Sequence, residues 1–332
     1  MADISDADRP DTGGWIPPVV ETPPVFVWPP KPGAFLKFIF GWGGYLFPYN
    51  AFYMLVSVGI WWFLIPDLQQ MKNFEVGWIS NLFIQNFIIL LVWTSFWHIR
   101  LYVRRSQGTD FKYNARWPKD SETFLFGKQL FDNMFWTLFS GVPIWTAYEV
   151  VTFWAMANGY IPYLDMEAHP VYFGMCMFLV AFWREAHFYV VHRLMHSSLL
   201  YKLAHSVHHR NSNPTPWSGL SMHPIEHVIY YSSVLIQWVI YSNPLLVVYH
   251  LVHLNFAPAP DHSAFGRMVV NGKVEIDLAT YMHYLHHRYF EVNYGGDGSV
   301  PFDRWFGTWH NGTAEAHAAM NERFKKKRPP SS

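Results

Sequence analysis

Residues 170–196 read PVYFGMCMFLVAFWREAHFYVVHRLMH. From Pro170 to Val191 the run is mostly apolar, and its length of roughly 20 residues is what a helix needs to cross the hydrocarbon core of a bilayer. Its charges, Arg184 and Glu185, come near the end, and the stretch closes on His192 and His196. Three similar apolar runs precede it, Phe47 to Pro66, Val76 to Trp97 and Asn133 to Ala157, the last with a kink expected at Pro143. A fifth, Ile225 to Phe256, is broken at Asn243-Pro244 and reads as a hairpin entering the membrane or as two further spans. The expectation is an all-α, integral-membrane helical bundle: four spans plus a broken apolar hairpin.

Composition points the same way. Aromatic residues make up 19% of the 332, with 17 Trp, while charged residues are 14% against a usual quarter. Mean hydropathy is only +0.03, because Trp, Tyr and 18 His count as polar on that scale, yet Trp and Tyr gather at membrane interfaces. Formal net charge is zero, so no basic field for nucleic acid exists. The single cysteine, Cys176, excludes a disulfide framework and a zinc site built on several thiolates. Residues 1–33, acidic and then proline-rich, lack the pattern of a signal peptide and read as a mobile, disordered tail. The membrane domain is expected over 34–312 and a polar, basic tail over 313–332.

Lysine and arginine set the orientation. They crowd the stretch from Arg100 to Lys128, are scarce at 67–75 and absent at 158–169, then return at Arg193, Lys202, Arg210 and the run Lys325 to Arg328. This places the N-terminus, the basic loop and the histidine-rich region on the cytoplasmic side. A large soluble protein with buried helices is the competing reading, opposed by the long apolar runs and the asymmetric loops.

Three histidine clusters carry the chemistry: His192-Arg-Leu-Met-His196, His205-Ser-Val-His208-His209 and His283-Tyr-Leu-His286-His287. On a helix, positions i and i+4 lie about 40° apart, and i+3 lies about 60° the other way, so each cluster aims its imidazoles from one side. Eight imidazoles are too many for one octahedral ion that must keep a position open, and suit two. Imidazole accepts iron, copper, zinc or nickel, so ligand type alone does not choose the metal. A membrane zinc protease would carry H-E-x-x-H, which is not present.

The clusters, their order and their flanks resemble the fatty acid hydroxylase and sterol desaturase superfamily. Glu185 stands seven residues before His192-Arg193, and Leu200-Tyr201-Lys202 leads into the second cluster. Pro214-Thr-Pro-Trp217 and His223-Pro224-Ile225-Glu226 are similar to sterol C5-desaturases and C4-methyl oxidases. His286-His287-Arg-Tyr-Phe, Asn293-Tyr294-Gly295 and Asp303-Arg-Trp-Phe-Gly307-Thr308 form the closing signature, interrupted by an insertion from Gly296 to Pro301. The resemblance covers about Trp183 to Thr308. It implies a helical membrane protein with two iron ions at a cytoplasm-facing site, which uses oxygen to hydroxylate or desaturate a sterol-like or fatty-acyl lipid. It also implies electrons from an external donor of ferredoxin or cytochrome b5 type, in the bacterial inner membrane or the endoplasmic reticulum.

The resemblance adds candidates. His187 completes an H-x-x-x-x-H spacing with His192, but a straight helix sets it about 140° away, so it is either a ligand or a satisfied core histidine. His262 resembles the histidine of a His-Ser-Gly stretch before the last box of the methyl oxidases. His223 and His227 are ligands or donors behind the ligands, and Glu185, Glu226 and Asp261 are candidates to fix imidazole tautomers. The ligand set is therefore His187, His192, His196, His205, His208, His209, His223, His262, His283, His286 and His287, with no catalytic residue beyond it and no site for an organic cofactor. Breaking an unactivated C–H bond exceeds what a side chain can do, which favours a redox metal with oxygen. No Rossmann glycine fingerprint or haem-attachment motif supplies electrons internally. A zinc-dependent membrane hydrolase is the alternative. A metal transporter ranks behind it, because transporters hold their ligands near the bilayer midplane, whereas these clusters fall at span ends.

Overall fold

A computed structural model describes residues 13–18, 21–278, 280–296 and 298–327. Of the stretches read as tails, 1–12, 19–20 and 328–332 lie outside the described residues. Helices α1 (Pro32–Phe40), α2 (Tyr49–Phe63) and α3 (Val76–His98) come first, α3 running on through a π turn at Ile99–Val103. Helix α4 (Gln129–Trp136) joins α5 (Val142–Ala157) through a second π turn, Thr137–Gly141. Pro143 stands in the first turn of α5, where its missing N–H is tolerated, so the expected kink takes the form of that π turn.

The long helix α6 (Pro170–Met195) is followed by α7 (Ser198–Leu200), a third π turn at Tyr201–His205, and α8 (Ser206–His209). Next come α9 (Pro224–Tyr231), α10 (Pro244–Phe256) and α11 (Pro258–Asp261). After a small hairpin the chain ends in α12 (Tyr281–Tyr289), α13 (Phe302–Trp305) and α14 (Ala314–Lys327).

The fold is thus predominantly helical but not all-α. Strands β1 (Arg267–Val270) and β2 (Lys273–Asp277) pair antiparallel across Asn271-Gly272, both at positive φ, with Val270 opposite Lys273. Asn-Gly between apolar residues is a strong hairpin signal, because a tight two-residue turn needs left-handed backbone at both positions.

Each expected span falls on a helix. In α3, Trp78, Leu82, Asn86, Leu90, Thr94 and Trp97 are buried in one stripe, while Ile84, Ile88, Val92 and Phe96 form an exposed apolar stripe on the other side. On α6, Met175, Leu179, Val190 and Leu194 are exposed likewise. Among the described residues, Val76–Val103 is the helical stretch that meets both the length and the composition of a membrane span.

Between apolar helices in lipid, hydrophobic burial gives little net attraction, and interhelical hydrogen bonds contribute roughly 1–2 kcal/mol each. Asn86 of α3 donates to Thr146 Oγ1 at 3.1 Å and to Glu149 Oε2 at 2.6 Å on α5. The segment expected as a hairpin or two spans is divided at Asn243-Pro244, with α9 and a 3-10 stretch before the break and α10 after it. All thirteen residues of α10 are buried, packed among α2, α3, α5 and α6, so this helix is the centre of the bundle. A helix apolar all round fits a core or a lipid face equally well by sequence.

Part of the N-terminal stretch is packed. Trp15 N–H donates to the Lys112 carbonyl and its ring stacks on Tyr113, while Phe26 meets Phe182 and Trp305 edge-on. Lys112, in the basic loop, is fully buried and donates to the carbonyls of Asn114 and Arg116; burial lowers its pKa to about 7.

Asn158 and Ser198 are exposed just beyond the C-terminal ends of α5 and α6. The 26 residues of α6 span about 39 Å, more than a hydrocarbon core. In a Cys176→Ala background, membrane-impermeant labelling of Asn158→Cys and Ser198→Cys is expected from opposite sides. Labelling of both from one side overturns the topology.

Candidate metal centre

The end of α6, the π turn with α8, the residue that caps α11 and α12 converge, and together they bring nine imidazoles into two adjoining groups. The first holds His192, His196, His205, His209 and His286; the second holds His208, His262, His283 and His287. Within each group the nearest nitrogens all lie within 4.8 Å of one another. Helical angle explains the division. In both H-x-x-H-H clusters, i and i+4 serve one group and i+3 serves the other. His205 and His209 thus join the first group and His208 the second, whereas His283 and His287 join the second and His286 the first. Each of these helices therefore ties the two groups together, with His209 and His287 rings 5.1 Å apart across the boundary.

Proton bookkeeping shows what the groups accommodate. His192 Nδ1 donates to the Tyr294 carbonyl at 2.8 Å, His205 Nδ1 to Glu226 Oε1 at 2.7 Å, and His286 Nδ1 to the Val292 carbonyl at 2.6 Å. In the second group, His262 Nδ1 donates to the Pro258 carbonyl at 3.0 Å. A neutral imidazole carries one N–H, so these rings present bare lone pairs at Nε2.

Those lone pairs point at one another. His196 Nε2 is 3.1 Å from His205 Nε2, 3.1 Å from His286 Nε2 and 3.2 Å from His209 Nε2. A single proton on His196 relieves only one of the three contacts. His262 Nε2 is 2.8 Å from His283 Nε2 and 3.4 Å from His208 Nε2, while His192 Nε2 and both nitrogens of His287 have no hydrogen-bond partner among the described residues. Two nitrogens about 2.1 Å from one ion and at right angles to each other are about 3.0 Å apart, which is close to these spacings. Burial pushes the imidazoles of His205 and His208 down to about 3 and lowers those of His209, His262, His283, His286 and His287 as well. They stay neutral at ordinary pH, the form that binds a metal. Both groups fit a metal cation.

Two candidates lie outside both groups. His187 is turned away from His192 around the unbroken helix α6, and its Nε2 sits 3.0 Å from Ser232 Oγ. His223 caps α9, with Nδ1 accepting the Ile225 N–H at 3.3 Å. His227, behind the site, has Nδ1 2.9 Å from Ser140 Oγ. His250 and His253 are core residues bonded to Ser233 and Asn50. Among the three acids considered as tautomer-fixing partners, Glu226 holds His205, whereas Glu185 accepts the N–H groups of Gly296 and Gly298 and so tethers the insertion.

The closing motif works through backbone. Asp303 accepts the N–H of Tyr294 at 2.9 Å and of Gly295 at 2.8 Å, which aims the Tyr294 carbonyl at His192. Asn293 sits at φ 49°, a left-handed conformation that Asn tolerates, and its side chain donates to the carbonyls of Met282 and His310. A Cβ on Gly219 would collide with the Pro258 carbonyl, the one that orients His262. Sequence reasoning did not find these carbonyl contributors, since a backbone acceptor leaves no residue-type signal. The turn asparagine and the glycines nearby are the only trace.

The fatty acid hydroxylase family matches residues 177–308, which include all nine grouped histidines. Over these residues the chain resembles the fatty acid hydroxylase and sterol desaturase superfamily. A delta(7)-sterol 5(6)-desaturase of Gibberella zeae is 32% identical over 111 residues, 32% of this chain and 33% of that protein. One from Aspergillus fumigatus is 32% identical over 127 residues, covering 32% and 40%. One from Candida glabrata is 28% identical over 170 residues, covering 47% and 43%. The matches span about a third to under half of the length of these relatives. No solved structure matches the chain.

Proposed function

We propose that this protein is an oxygen-dependent, non-haem di-iron oxidoreductase that hydroxylates or desaturates a membrane lipid, sterol-like or fatty-acyl. The observation that carries the reading is the pair of all-imidazole groups whose Nε2 lone pairs converge while their Nδ1 protons are committed elsewhere. Five imidazoles leave one position of an octahedral ion open, and four leave two. Catalytic zinc keeps three protein ligands, so the donor count favours iron over the hydrolase alternative. Iron at this site would supply the oxidising power toward an unactivated C–H bond that no side chain has.

The protein's own share is positional. Glu226 and the Tyr294, Val292 and Pro258 carbonyls lock ring orientation and tautomer, and burial excludes water. His196 is the one grouped histidine that is not buried, so it marks the edge nearest solvent. Electrons would come from a separate ferredoxin or cytochrome b5 type protein. The membrane domain is taken as 34–312 with four spans and the metal centre on the cytoplasmic side. A bacterial inner membrane and the endoplasmic reticulum both fit that arrangement. The desaturase names of the relatives and the fatty acid hydroxylase family support the lipid substrate class.

Elemental analysis of active, detergent-purified protein is expected to give two iron ions per chain. One ion per chain in an active sample overturns the two-metal claim. Zinc in an inactive recombinant sample does not bear on it, because zinc binds imidazole sites well and can replace iron during expression. The same preparation, assayed with labelled oxygen and a lipid extract, distinguishes the outcomes: label in the product means hydroxylation, and a new double bond without label means desaturation.

A further inference from the structure

The turn from Val292 to Gly296 touches both imidazole groups. Its carbonyls meet ligand rings. Val292 accepts from His286 Nδ1 at 2.6 Å and Tyr294 from His192 Nδ1 at 2.8 Å, both rings of the first group. The next carbonyl, Gly295, faces His283 of the second group; no hydrogen bond of good geometry forms, but its dipole favours an N–H on that ring. The N–H groups of the turn meet two buried carboxylates. Asp303 Oδ1 accepts from Tyr294 at 2.9 Å and Oδ2 from Gly295 at 2.8 Å, while Glu185 Oε1 accepts from Gly296 at 3.0 Å and from Gly298 at 3.1 Å. Such donors hold a carboxyl group in its charged form. Positions 295 and 296 need glycine, because a Cβ would stand 2.9 Å from Glu185 Oε1 or 3.0 Å from its Oε2.

We propose that Asp303 and Glu185 are positioning residues, one for each metal group: Asp303 acts on His192 through the peptide that joins Tyr294 to Gly295, and Glu185 acts on His283 through the next peptide, Gly295 to Gly296. This deepens the two-ion reading of the site and rests on it. A peptide unit carries its C=O and the following N–H on opposite edges of one plane. The Gly295 N–H held by Asp303 therefore shares a plane with the Tyr294 carbonyl, and the Gly296 N–H held by Glu185 with the Gly295 carbonyl. A negative charge on the N–H edge strengthens the carbonyl as an acceptor, because hydrogen bonds in series polarise one another. A stronger acceptor behind Nδ1 fixes the tautomer and raises the basicity of Nε2, the nitrogen turned toward the ion. Once Nε2 of His283 is committed to an ion, its proton must sit on Nδ1, beside the Gly295 carbonyl. Gly296 opens the stretch 296–301 that interrupts the closing signature. That stretch is no passive spacer, since it delivers to Glu185 the N–H through which α6 reaches the second group.

The test uses full-length, iron-loaded protein in detergent. One readout is chelator competition with metal analysis; the other is the reduction midpoint of the iron, followed by electron paramagnetic resonance. Glu185→Ala should release one ion of the two at chelator concentrations about tenfold below those the wild type needs. Asp303→Asn, in which one acceptor becomes an NH2 group, should do the same to the other ion. Glu226 bonds His205 directly and so marks the first group. Asp303→Asn added to Glu226→Ala should still release one ion, whereas Glu185→Ala added to it should release both. Glu185→Gln keeps an oxygen for Gly296 and Gly298 and removes only the charge. It should move a reduction midpoint to more positive values, because a less basic imidazole stabilises ferric iron less. Glu149→Gln, a buried carboxylate remote from the turn, should match the wild type in both readouts. An unchanged midpoint in Glu185→Gln overturns the proposal, because a carboxylate that only shapes the turn is replaced by its isostere without effect. Retention of one ion by the Glu185→Ala, Glu226→Ala double variant overturns it too. Wild-type protein that never holds two ions would instead defeat the two-ion reading itself.

Discussion

His286→Ala is expected to abolish turnover and to leave about one metal ion per chain. His286 belongs to the five-imidazole group, where its Nε2 lies 3.1 Å from those of both His196 and His209. Its own orientation is set by the Val292 carbonyl. Loss of an outer partner behind a ligand costs roughly 10–100-fold in metal affinity or activity, and loss of the ligand itself should exceed that. The neighbouring His287 is about 100° further around α12 and serves the other group, so His287→Ala should also leave about one ion, but from the second site. The double variant should then hold none. His169→Ala and His317→Ala, outside both groups, should retain both ions and most activity. Metal analysis of each purified variant, together with product formation from a lipid extract, reads the outcome. Normal activity and two ions in His286→Ala would refute the assignment. If His286→Ala and His287→Ala each lost both ions, the two groups would form one inseparable cluster.

The division into two groups shows how far the sequence could be read. Helical spacing is enough to recognise that His205, His208 and His209 project from one short segment, and that eight clustered imidazoles exceed one ion. The same angles contain the division between centres, because i and i+4 lie about 40° apart while i+3 lies about 60° from i and about 100° from i+4. That step needs to be taken pairwise and not per cluster. His262 has no helical partner and was visible only through resemblance. His187 shows the opposite error: spacing borrowed from relatives suggested a ligand, while the angle on an unbroken α6 carries it to Ser232.

In the fold, the long apolar runs give helices at the expected places because their length and apolar content leave little else for the backbone to do. Burial is not equally legible. Residues 244–256 are as apolar as a span, yet they fill the centre of the bundle, and only tertiary packing makes that distinction. The β1–β2 hairpin was legible from Asn271-Gly272 and was obscured by a reading tuned to helices. The carbonyls of Tyr294, Val292 and Pro258 were not legible at all, since any residue type can supply a carbonyl.

Glu226 is the exception among the supporting groups, because its contribution comes from a side chain that can be changed. Its Oε1 accepts the Nδ1 proton of His205 at 2.7 Å, and both groups are buried. Without that acceptor His205 has two options. It can keep a buried N–H with no partner, or it can move the proton to Nε2 and lose the lone pair that faces His196. Either way the first group loses affinity for its ion, whereas the second group, which has no member bonded to Glu226 among the contacts seen, keeps its own. Glu226→Ala is therefore expected to lower metal affinity at the first group by roughly 100-fold, with activity falling in parallel, and Glu226→Gln by roughly tenfold, since the amide oxygen still accepts from Nδ1 but carries no charge. Competition with a chelator, followed by metal analysis, should release one ion from Glu226→Ala at chelator concentrations that leave the wild type with two. A role limited to packing predicts a different order, with Gln, the closest isostere, behaving as wild type. Glu226→Ala that holds both ions through the titration and turns over normally would show that His205 does not depend on this carboxylate.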